Sequence, residues 1–159
     1  MKTNTFGQLD GKGMRIAVVA ARFNQAITDQ LVAGAEAAMD VAGIAKEDRL
    51  IVRVPGSFEL PQVAAAIAKK GGYDAIVCLG CLIKGDTDHD VFIAQATAEG
   101  IQNVALQYTL PVLFGVLTCR TKEQAEARAE GLGEKNKGYE AVLSAVETVQ
   151  AFRVVQEEK

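Results

Sequence analysis

The sequence predicts an α/β fold in which helices cover both faces of a parallel β-sheet. Four apolar segments rich in β-branched residues alternate with helical segments, and that alternation is typical of a parallel sheet. The four segments are 15–21, 49–54, 74–83 and 112–118. The last two are nearly continuous apolar runs, as expected for strands that are covered on both sides. We therefore predict a three-layer α/β/α sandwich around a four-stranded parallel, flavodoxin-like sheet.

The first two helices are predicted from apolar spacing and from the residues at their ends. Apolar residues recur at helical spacing from Ile27 to Ala42, and Gly43 stands where a helix C-cap glycine belongs. After the second strand, residues 55–57 turn the chain into an alanine-rich helix over 58–70. Pro61 is tolerated in that helix only because it falls in the first turn.

Three more helices complete the alternation. The third is predicted over 88–103. The fourth begins at Thr121, which forms a Thr-x-x-Gln capping box with Gln124. The last is amphipathic and covers about 137–155.

Length and composition favour one domain that folds without disulfides or structural metal. The 159 residues are 49% hydrophobic and 23% charged. A chain of this size buries about 68–70% of the surface that its unfolded form exposes. We therefore predict a single domain over residues 1–159.

The charge balance and the N-terminus argue against nucleic-acid and membrane partners. The net charge is −3 and basic residues do not cluster, unlike in nucleic-acid-binding proteins. The opening sequence lacks the apolar run of a secretory signal, so we expect a cytoplasmic protein with reduced thiols. The uncharged window 100–119 is interrupted by Gln102, Asn103 and Pro111, so we interpret it as a helix end followed by a strand.

The most informative residues follow the predicted strands. They are the segments 22–24, 55–59 and 84–89. In open parallel sheets, ligands bind outside the carboxyl ends of the strands. The sequence therefore predicts a ligand site at this edge of the sheet.

His89 and the residues before it are candidates for proton transfer and anion binding. An imidazole has a reference pKa of about 6.5 and both donates and accepts protons near neutrality, although a solvated loop histidine is the plain alternative. Residues 85–87 precede a helix N-terminus, which suits an anion. Because Asp86, Asp88 and Asp90 repel a phosphate, a cation such as Lys84 or Arg128 is required to offset them. An ordinary acidic N-cap segment is the alternative reading.

Two metal readings of this region fail on spacing. A calcium loop requires a glycine where the chain has Val91 and a glutamate where it has Thr97. Cys78 and Cys81 lie three residues apart on a predicted strand, so they point to opposite faces and cannot share a metal. We expect these thiols and Cys119 to be buried and inert, and we expect no metal site.

Two aromatic residues in the predicted loops suggest a flat ligand. Phe23 and Phe58 follow different strands at the same sheet edge. Packing is the usual explanation for such residues, and stacking on an aromatic ligand is the alternative. Glu59 can accept hydrogen bonds from ligand hydroxyls or simply complement a helix dipole.

Five ordered strings cover most of the chain and resemble the lumazine synthase family. They are ARFN at 21–24, VPGSFELP at 54–61, GCLIKGDTDH at 80–89, LPVLFGVLT at 110–118 and EQAEARAE at 123–130. The resemblance implies condensation of 5-amino-6-(D-ribitylamino)uracil with 3,4-dihydroxy-2-butanone 4-phosphate to 6,7-dimethyl-8-ribityllumazine, the riboflavin precursor. This chemistry requires imine formation, phosphate elimination and ring closure, so it implies neither metal nor cofactor.

The resemblance also assigns site residues. It implies that Phe23 stacks on the pyrimidinedione and that His89 transfers protons. Asp86 and Thr87 are expected to hold the phosphate together with Arg128. The pyrimidinedione and its ribityl chain are expected to contact Ser57, Phe58, Glu59, Cys81, Leu82 and Ile83.

A homo-oligomer built on a pentameric ring is a further implication. Phe114 and Arg128 match family residues that reach into the site of a neighbouring subunit, and residues 1–13 are expected to form an N-terminal arm able to pair with a neighbour. The chain departs from the family pattern at Lys84, Asp88 and 90–92, and its turn after Arg128 is one residue longer. In family members that form icosahedral shells, this turn lies near contacts between pentamers.

Two other readings compete with this one. A phospho-receiver or flavodoxin-like binding module shares the architecture, but the first strand lacks the acidic pair or the Ser/Thr-rich phosphate loop of such proteins. The second alternative is a relative of lumazine synthase that forms a protein shell or binds flavin but has lost catalysis. The presence of both His89 and Arg128 argues against it.

Overall fold

A four-stranded parallel sheet lies at the centre of the molecule. The computed structural model describes residue 3 and residues 9–158. Its strands are β1 (Ile16–Ala21), β2 (Arg49–Val54), β3 (Ala75–Ile83) and β4 (Val112–Cys119). They are arranged in the order β2-β1-β3-β4, and each neighbouring pair is parallel. The predicted parallel sheet is confirmed.

Helices cover both faces of this sheet. They are α1 (Gln25–Val41), α2 (Leu60–Lys70), α3 (His89–Tyr108), α4 (Lys122–Arg128) and α5 (Lys137–Glu157). Buried residues of α1, α4 and α5 form one core with one face of the sheet, whereas those of α2 and α3 form a second core with the other face. This is the predicted three-layer α/β/α sandwich.

The central strand β3 contributes to both cores. Its residues are buried up to Leu82, and successive side chains alternate between the two faces. Cys78 packs on the α2/α3 side and Cys81 on the α1/α5 side, as predicted from their spacing. The strand β4, in contrast, lies at the edge of the sheet and leaves Phe114 and Thr118 exposed. β4 is nevertheless covered on both faces, as expected from its apolar run, because Leu117 and Cys119 belong to one core and Val112 and Val116 to the other.

The predicted helix ends are mostly confirmed. Gly43 has φ 75° after α1, and Pro61 lies in the first turn of α2. Thr121 accepts a hydrogen bond from the Gln124 backbone N–H at 3.2 Å, as predicted. The second half of the predicted capping box is wrong, because the Gln124 side chain accepts from the Arg120 N–H at 2.9 Å and not from that of Thr121. α3, however, continues to Tyr108 instead of ending near residue 103, because its last turns still pack against the core.

The structure bears on three smaller expectations, which concern the N-terminal arm, membrane spans and the uncharged window. Most of the predicted N-terminal arm lies outside the described residues. Within its described part, Gly11 donates a backbone hydrogen bond to the Ala42 carbonyl of the same chain at 2.8 Å. Among the described helices, none is long and apolar enough to cross a bilayer. The window 100–119 is the end of α3 followed by β4, as predicted.

Asn136 fixes the turn between α4 and α5. Its side chain is completely buried, and Oδ1 accepts hydrogen bonds from the backbone N–H groups of Gly138 and Tyr139. Its Nδ2 lies 2.9 Å from each of three carbonyl oxygens, on Gln30, Ala129 and Gly131, which share its two N–H hydrogens. One amide therefore caps α5, closes the turn and ties both to α1.

The same amide requires small residues nearby. A Cβ atom at Gly34 would overlap the Asn136 side chain, and one at Gly138 would overlap the Leu31 carbonyl. α1 and α5 therefore approach each other closely beside the cap, which leaves no room for an alternative arrangement of the turn.

We expect Asn136→Ala to destabilise the protein by about 3 kcal/mol, because it removes a helix cap and leaves one buried and two partly buried carbonyls without their donor. Thr121→Ala is the matched control, since Thr121 caps α4 through one exposed hydrogen bond and its loss should cost about 1 kcal/mol. Denaturant unfolding at one protein concentration measures both free energies. Equal losses would show that the Asn136 network adds nothing to an ordinary cap.

Candidate active site

A cleft of about 900 Å³ opens where β1, β2 and β3 end. This volume suits a drug-sized ligand. The walls come from three loops and the first turns of α3, and they are mainly apolar. Its lining residues are Phe23, Pro55, Gly56, Ser57, Phe58, Glu59, Leu82, Ile83, Gly85, Thr87, His89, Asp90, Phe92, Ile93 and Ala96.

The loop after β1 places Phe23 at the rim. The backbone N–H of Phe23 donates to the Pro55 carbonyl at 3.0 Å, which continues the β1–β2 pairing beyond the strands. Asn24 then adopts a left-handed conformation, with φ 57°, and its Nδ2 donates to the Cys81 carbonyl at 2.9 Å. Asparagine tolerates this conformation better than most residues. The aromatic ring of Phe23 remains 68% exposed.

The loop after β2 is anchored by Ser57. Ser57 is buried, and its carbonyl accepts a hydrogen bond from Thr97 of α3 at 3.2 Å. The neighbouring Glu59 accepts a hydrogen bond from the Gly56 N–H through Oε2 at 2.9 Å. Its second oxygen can accept a hydrogen bond from a ligand. Phe58, between these two anchored residues, is half exposed at the mouth of the cleft.

The end of β3 contributes Leu82 and Ile83 to the cleft but not the Cys81 side chain. Cys81 points into the α1/α5 core, and its carbonyl is bonded to Asn24. Burial raises the pKa of the Cys81 thiol to about 12, and it raises that of Cys78 to about 12 as well. Both thiols are therefore protonated near neutrality. This agrees with the prediction that they are inert.

The loop after β3 places His89 beside the cleft. His89 is the first residue of α3, is exposed and lines the cleft together with Thr87. Its backbone N–H donates to the Thr87 hydroxyl at 3.4 Å. Asp86 is exposed on this loop and is not a lining residue.

Phe114 and Arg128 lie elsewhere on the chain. They line a second cleft of about 300 Å³ between β4, α4 and α5, which shares no residue with the first. Arg128 Nη1 donates to the Gln124 carbonyl at 3.0 Å, and Phe114 is 45% exposed. Within one chain, the structure therefore does not bring these two residues to His89.

The main cleft combines three chemical capacities. Phe23 and Phe58 offer ring faces for a flat ligand, Glu59 offers a hydrogen-bond acceptor, and His89 can exchange a proton. In the described part of the chain, no three His, Cys, Asp or Glu side chains are grouped to hold a metal ion.

Four residues that line the cleft lie outside the predicted segments and site residues, namely Asp90, Phe92, Ile93 and Ala96. Asn24 lies inside the predicted segment 22–24, where it had no assigned role, and it anchors the Phe23 loop. Phe92 lines the cleft with a side chain that is 72% exposed, whereas Asp90 lines it one residue after His89. On sequence, Phe92 belongs to the stretch 90–92 that departs from the family pattern, and Asp90 is one of three acids near the predicted phosphate loop, so neither is marked as a cleft residue.

Comparison with known proteins decides the family. The model of the 6,7-dimethyl-8-ribityllumazine synthase family matches residues 13–153. The chain belongs to the lumazine synthase family. The resemblance seen in the five sequence strings is thereby confirmed.

Similar lumazine synthases come from several bacteria. The chain is 46% identical over 147 residues to 6,7-dimethyl-8-ribityllumazine synthase from Desulfosudis oleivorans, covering 92% of this chain and 93% of that protein. Proteins of the same name from Desulfovibrio desulfuricans and Aquifex aeolicus are each 44% identical, covering 92% of this chain and 93% and 95% of theirs. Lumazine synthases are transferases of riboflavin biosynthesis, so family membership agrees with an enzyme and not with a phospho-receiver.

Proposed function

We propose that the main cleft condenses 5-amino-6-(D-ribitylamino)uracil with 3,4-dihydroxy-2-butanone 4-phosphate. The products are 6,7-dimethyl-8-ribityllumazine, inorganic phosphate and water. The observation that carries this proposal is the meeting of Phe23, Glu59 and His89 in one cleft of a lumazine synthase family member.

The pyrimidinedione binds in the apolar part of the cleft. Its flat ring stacks on Phe23, beside Phe58. The backbone of Ser57, Leu82 and Ile83 supplies donors and acceptors around it. Glu59 accepts hydrogen bonds from the ribityl hydroxyls through the oxygen that is not bonded to Gly56. Cys81 contributes through its backbone, since its side chain points into the opposite core.

The phosphorylated substrate binds at the loop before α3. Backbone N–H groups of residues 85–87 and the Thr87 hydroxyl surround the phosphate, where the N-terminus of α3 favours an anion. Asp86 contributes through its backbone. A cation from outside the loop is required, and Arg128 of a neighbouring subunit supplies it with a forked guanidinium group.

The reaction proceeds by an imine. The amine of the pyrimidinedione adds to the ketone carbonyl and water leaves, after which phosphate is eliminated and the ribityl-bearing nitrogen closes the ring with loss of a second water. His89 carries protons between the reacting nitrogens and oxygens. Because an amine and a ketone react readily, most of the acceleration comes from holding the two substrates together.

A complete site requires two subunits. Phe114 and Arg128 lie on a cleft separate from that of His89. Each chain therefore contributes the His89 cleft to one site and the Arg128 cleft to the site of its neighbour. Repeating this contact around an axis produces a ring. We infer a homopentamer in the cytoplasm.

Mixing the purified protein with both substrates should produce the absorbance and fluorescence of 6,7-dimethyl-8-ribityllumazine without added metal. Treatment with EDTA should leave the rate unchanged, since no step requires a Lewis acid or a redox group. Absence of product would favour a family member that has lost catalysis. Loss of activity with EDTA, restored by a divalent ion, would contradict the cofactor-free mechanism.

Replacing His89 by Ala should lower kcat by an amount near the low end of the roughly 10²–10⁴-fold range that is typical of general acid–base groups. Steady-state assays across pH, on protein shown to be folded and assembled, measure this effect. An unchanged rate and pH profile would remove His89 from the mechanism.

Arg128→Ala should raise KM for the phosphorylated substrate and leave KM for the pyrimidinedione nearly unchanged. Because the site is shared, co-assembly of His89→Ala chains with Arg128→Ala chains should restore activity at about a quarter of the sites, where both groups are intact. The two variants assembled separately are the controls. Additive activity in the mixture, with no restoration, would place both residues in the same subunit's site.

The pentamer should be the main species in solution, with two stacked pentamers as the alternative. The turn over 128–138 resembles the family's common turn but is one residue longer. Asn136 anchors it to α1, and Leu132 within it is exposed. The extra residue changes the angle at which rings meet. Native mass spectrometry tests the expectation, and a dominant particle near sixty subunits would show that a closed shell absorbs the longer turn.

A further inference from the structure

Lys84 is engaged by two acidic residues of the loop before α3. Its ammonium nitrogen lies 3.1 Å from Asp88 Oδ1 and 3.7 Å from Asp90 Oδ1. It also lies 3.5 Å from the Thr87 carbonyl oxygen. The hydrogen bond with Asp88 is the main cause of a raised pKa at Lys84. The lysine therefore lies along the loop, on the acids that follow it.

Asp90 explains why the lysine is needed there. It lines the cleft, and its Oδ1 atom is buried without a hydrogen bond in the described part of the chain. The ion pair with Lys84 is therefore the compensation for this carboxylate. Segment 84–90 contains Lys84 and three aspartates, so its formal charge is −2 with His89 neutral.

We propose that Asp88 and Asp90 occupy the Lys84 ammonium group, which lies beside the phosphate subsite, so that it does not pair with the phosphate, and that they thereby keep the affinity of this subsite for phosphate low. The proposal rests on the function proposed above. Lys84, Asp88 and Asp90 then set the affinity for phosphate without contacting it. The cation that contacts the phosphate comes from the neighbouring subunit alone.

The chemistry of the reaction gives this arrangement a use. Phosphate is part of one substrate and is also released as a product, so a subsite that binds it tightly retains the product. A loop that offers N–H groups but keeps its own lysine occupied orients the substrate phosphate and still releases inorganic phosphate. Binding of the organic parts of the substrates supplies the remaining affinity.

A single substitution at Asp88 can release the Lys84 ammonium group from its ion pair. Asp88 is the N-cap residue of α3 but makes no side-chain capping hydrogen bond, so Asp88→Asn removes the charge without removing a cap. The ion pair is exposed and weak, and a few rotations of the lysine side chain allow the ammonium group to move. An exposed lysine that gains a phosphate contact forms a charge-assisted hydrogen bond.

The test is a double-mutant cycle on the assembled protein, with inorganic phosphate as the probe and ³¹P NMR titration as the readout. Asp88→Asn should tighten phosphate binding about fivefold when Lys84 is present, and this gain should disappear when Lys84→Gln is added. In the assay, KM for the phosphorylated substrate should fall in Asp88→Asn and KM for the pyrimidinedione should not change. Asp90→Asn is a second variant with the same expected direction.

Asp86→Asn is the matched control. It removes the same charge from the same loop, but Asp86 forms no ion pair with Lys84 in the described residues, so any gain should be equal with and without Lys84. An equal gain for Asp88→Asn in both backgrounds would show a simple charge effect and overturn the proposal. Much weaker phosphate binding in Lys84→Gln alone would also overturn it, because Lys84 would then already be a ligand. Phosphate binding is measured without the organic substrates, so failure of lumazine formation remains a separate result.

Discussion

The parallel pairing of β1 with both β2 and β3 is the constraint on which the rest of the structure depends. Ala21 lies beside Val54 in the sheet, and the end of β3 extends past the end of β1 on the other side. Three loops that are separated by about 30 residues in the chain therefore open at one edge. The cleft results from this register, since Phe23, Phe58 and His89 each follow a different strand.

Local contacts then convert the shared edge into a defined site. Asn24 ties the first loop to the end of β3, Thr97 ties the second loop to α3, and Lys84 ties the third loop to its own acids. Each contact links a loop to an element on which the cleft also depends. The aromatic rings at the rim can remain exposed because the backbone beneath them is held by these bonds.

The fold and most of the cleft were predictable from the sequence because they depend on local patterns. Apolar runs predict the strands, and Gly43 and Thr121 predict helix ends from residues close by in the chain. The rule that ligands bind at the carboxyl ends of parallel strands then places segments 22–24, 55–59 and 84–89 together. The position of β4 at the edge was not predictable, because strand order depends on how the layers pack. The same holds for the end of α3, since Tyr108 is stabilised by tertiary contacts. Phe92 and the Lys84 ion pairs depend on helix orientation, and the sequence reveals only their charge and size.

Gly80 limits how this cleft can change during evolution. A Cβ atom at Gly80 would lie 2.5 Å from Ser57 Oγ, so the floor of the site is a strand and a loop in direct contact. Substitutions there would displace the loop that carries Phe58 and Glu59. Phe92 at the rim, in contrast, is exposed and has no role in the proposed reaction, so it has room to vary. Substitutions around the opening can therefore change ligand preference without moving the floor, whereas a side chain at Gly80 cannot.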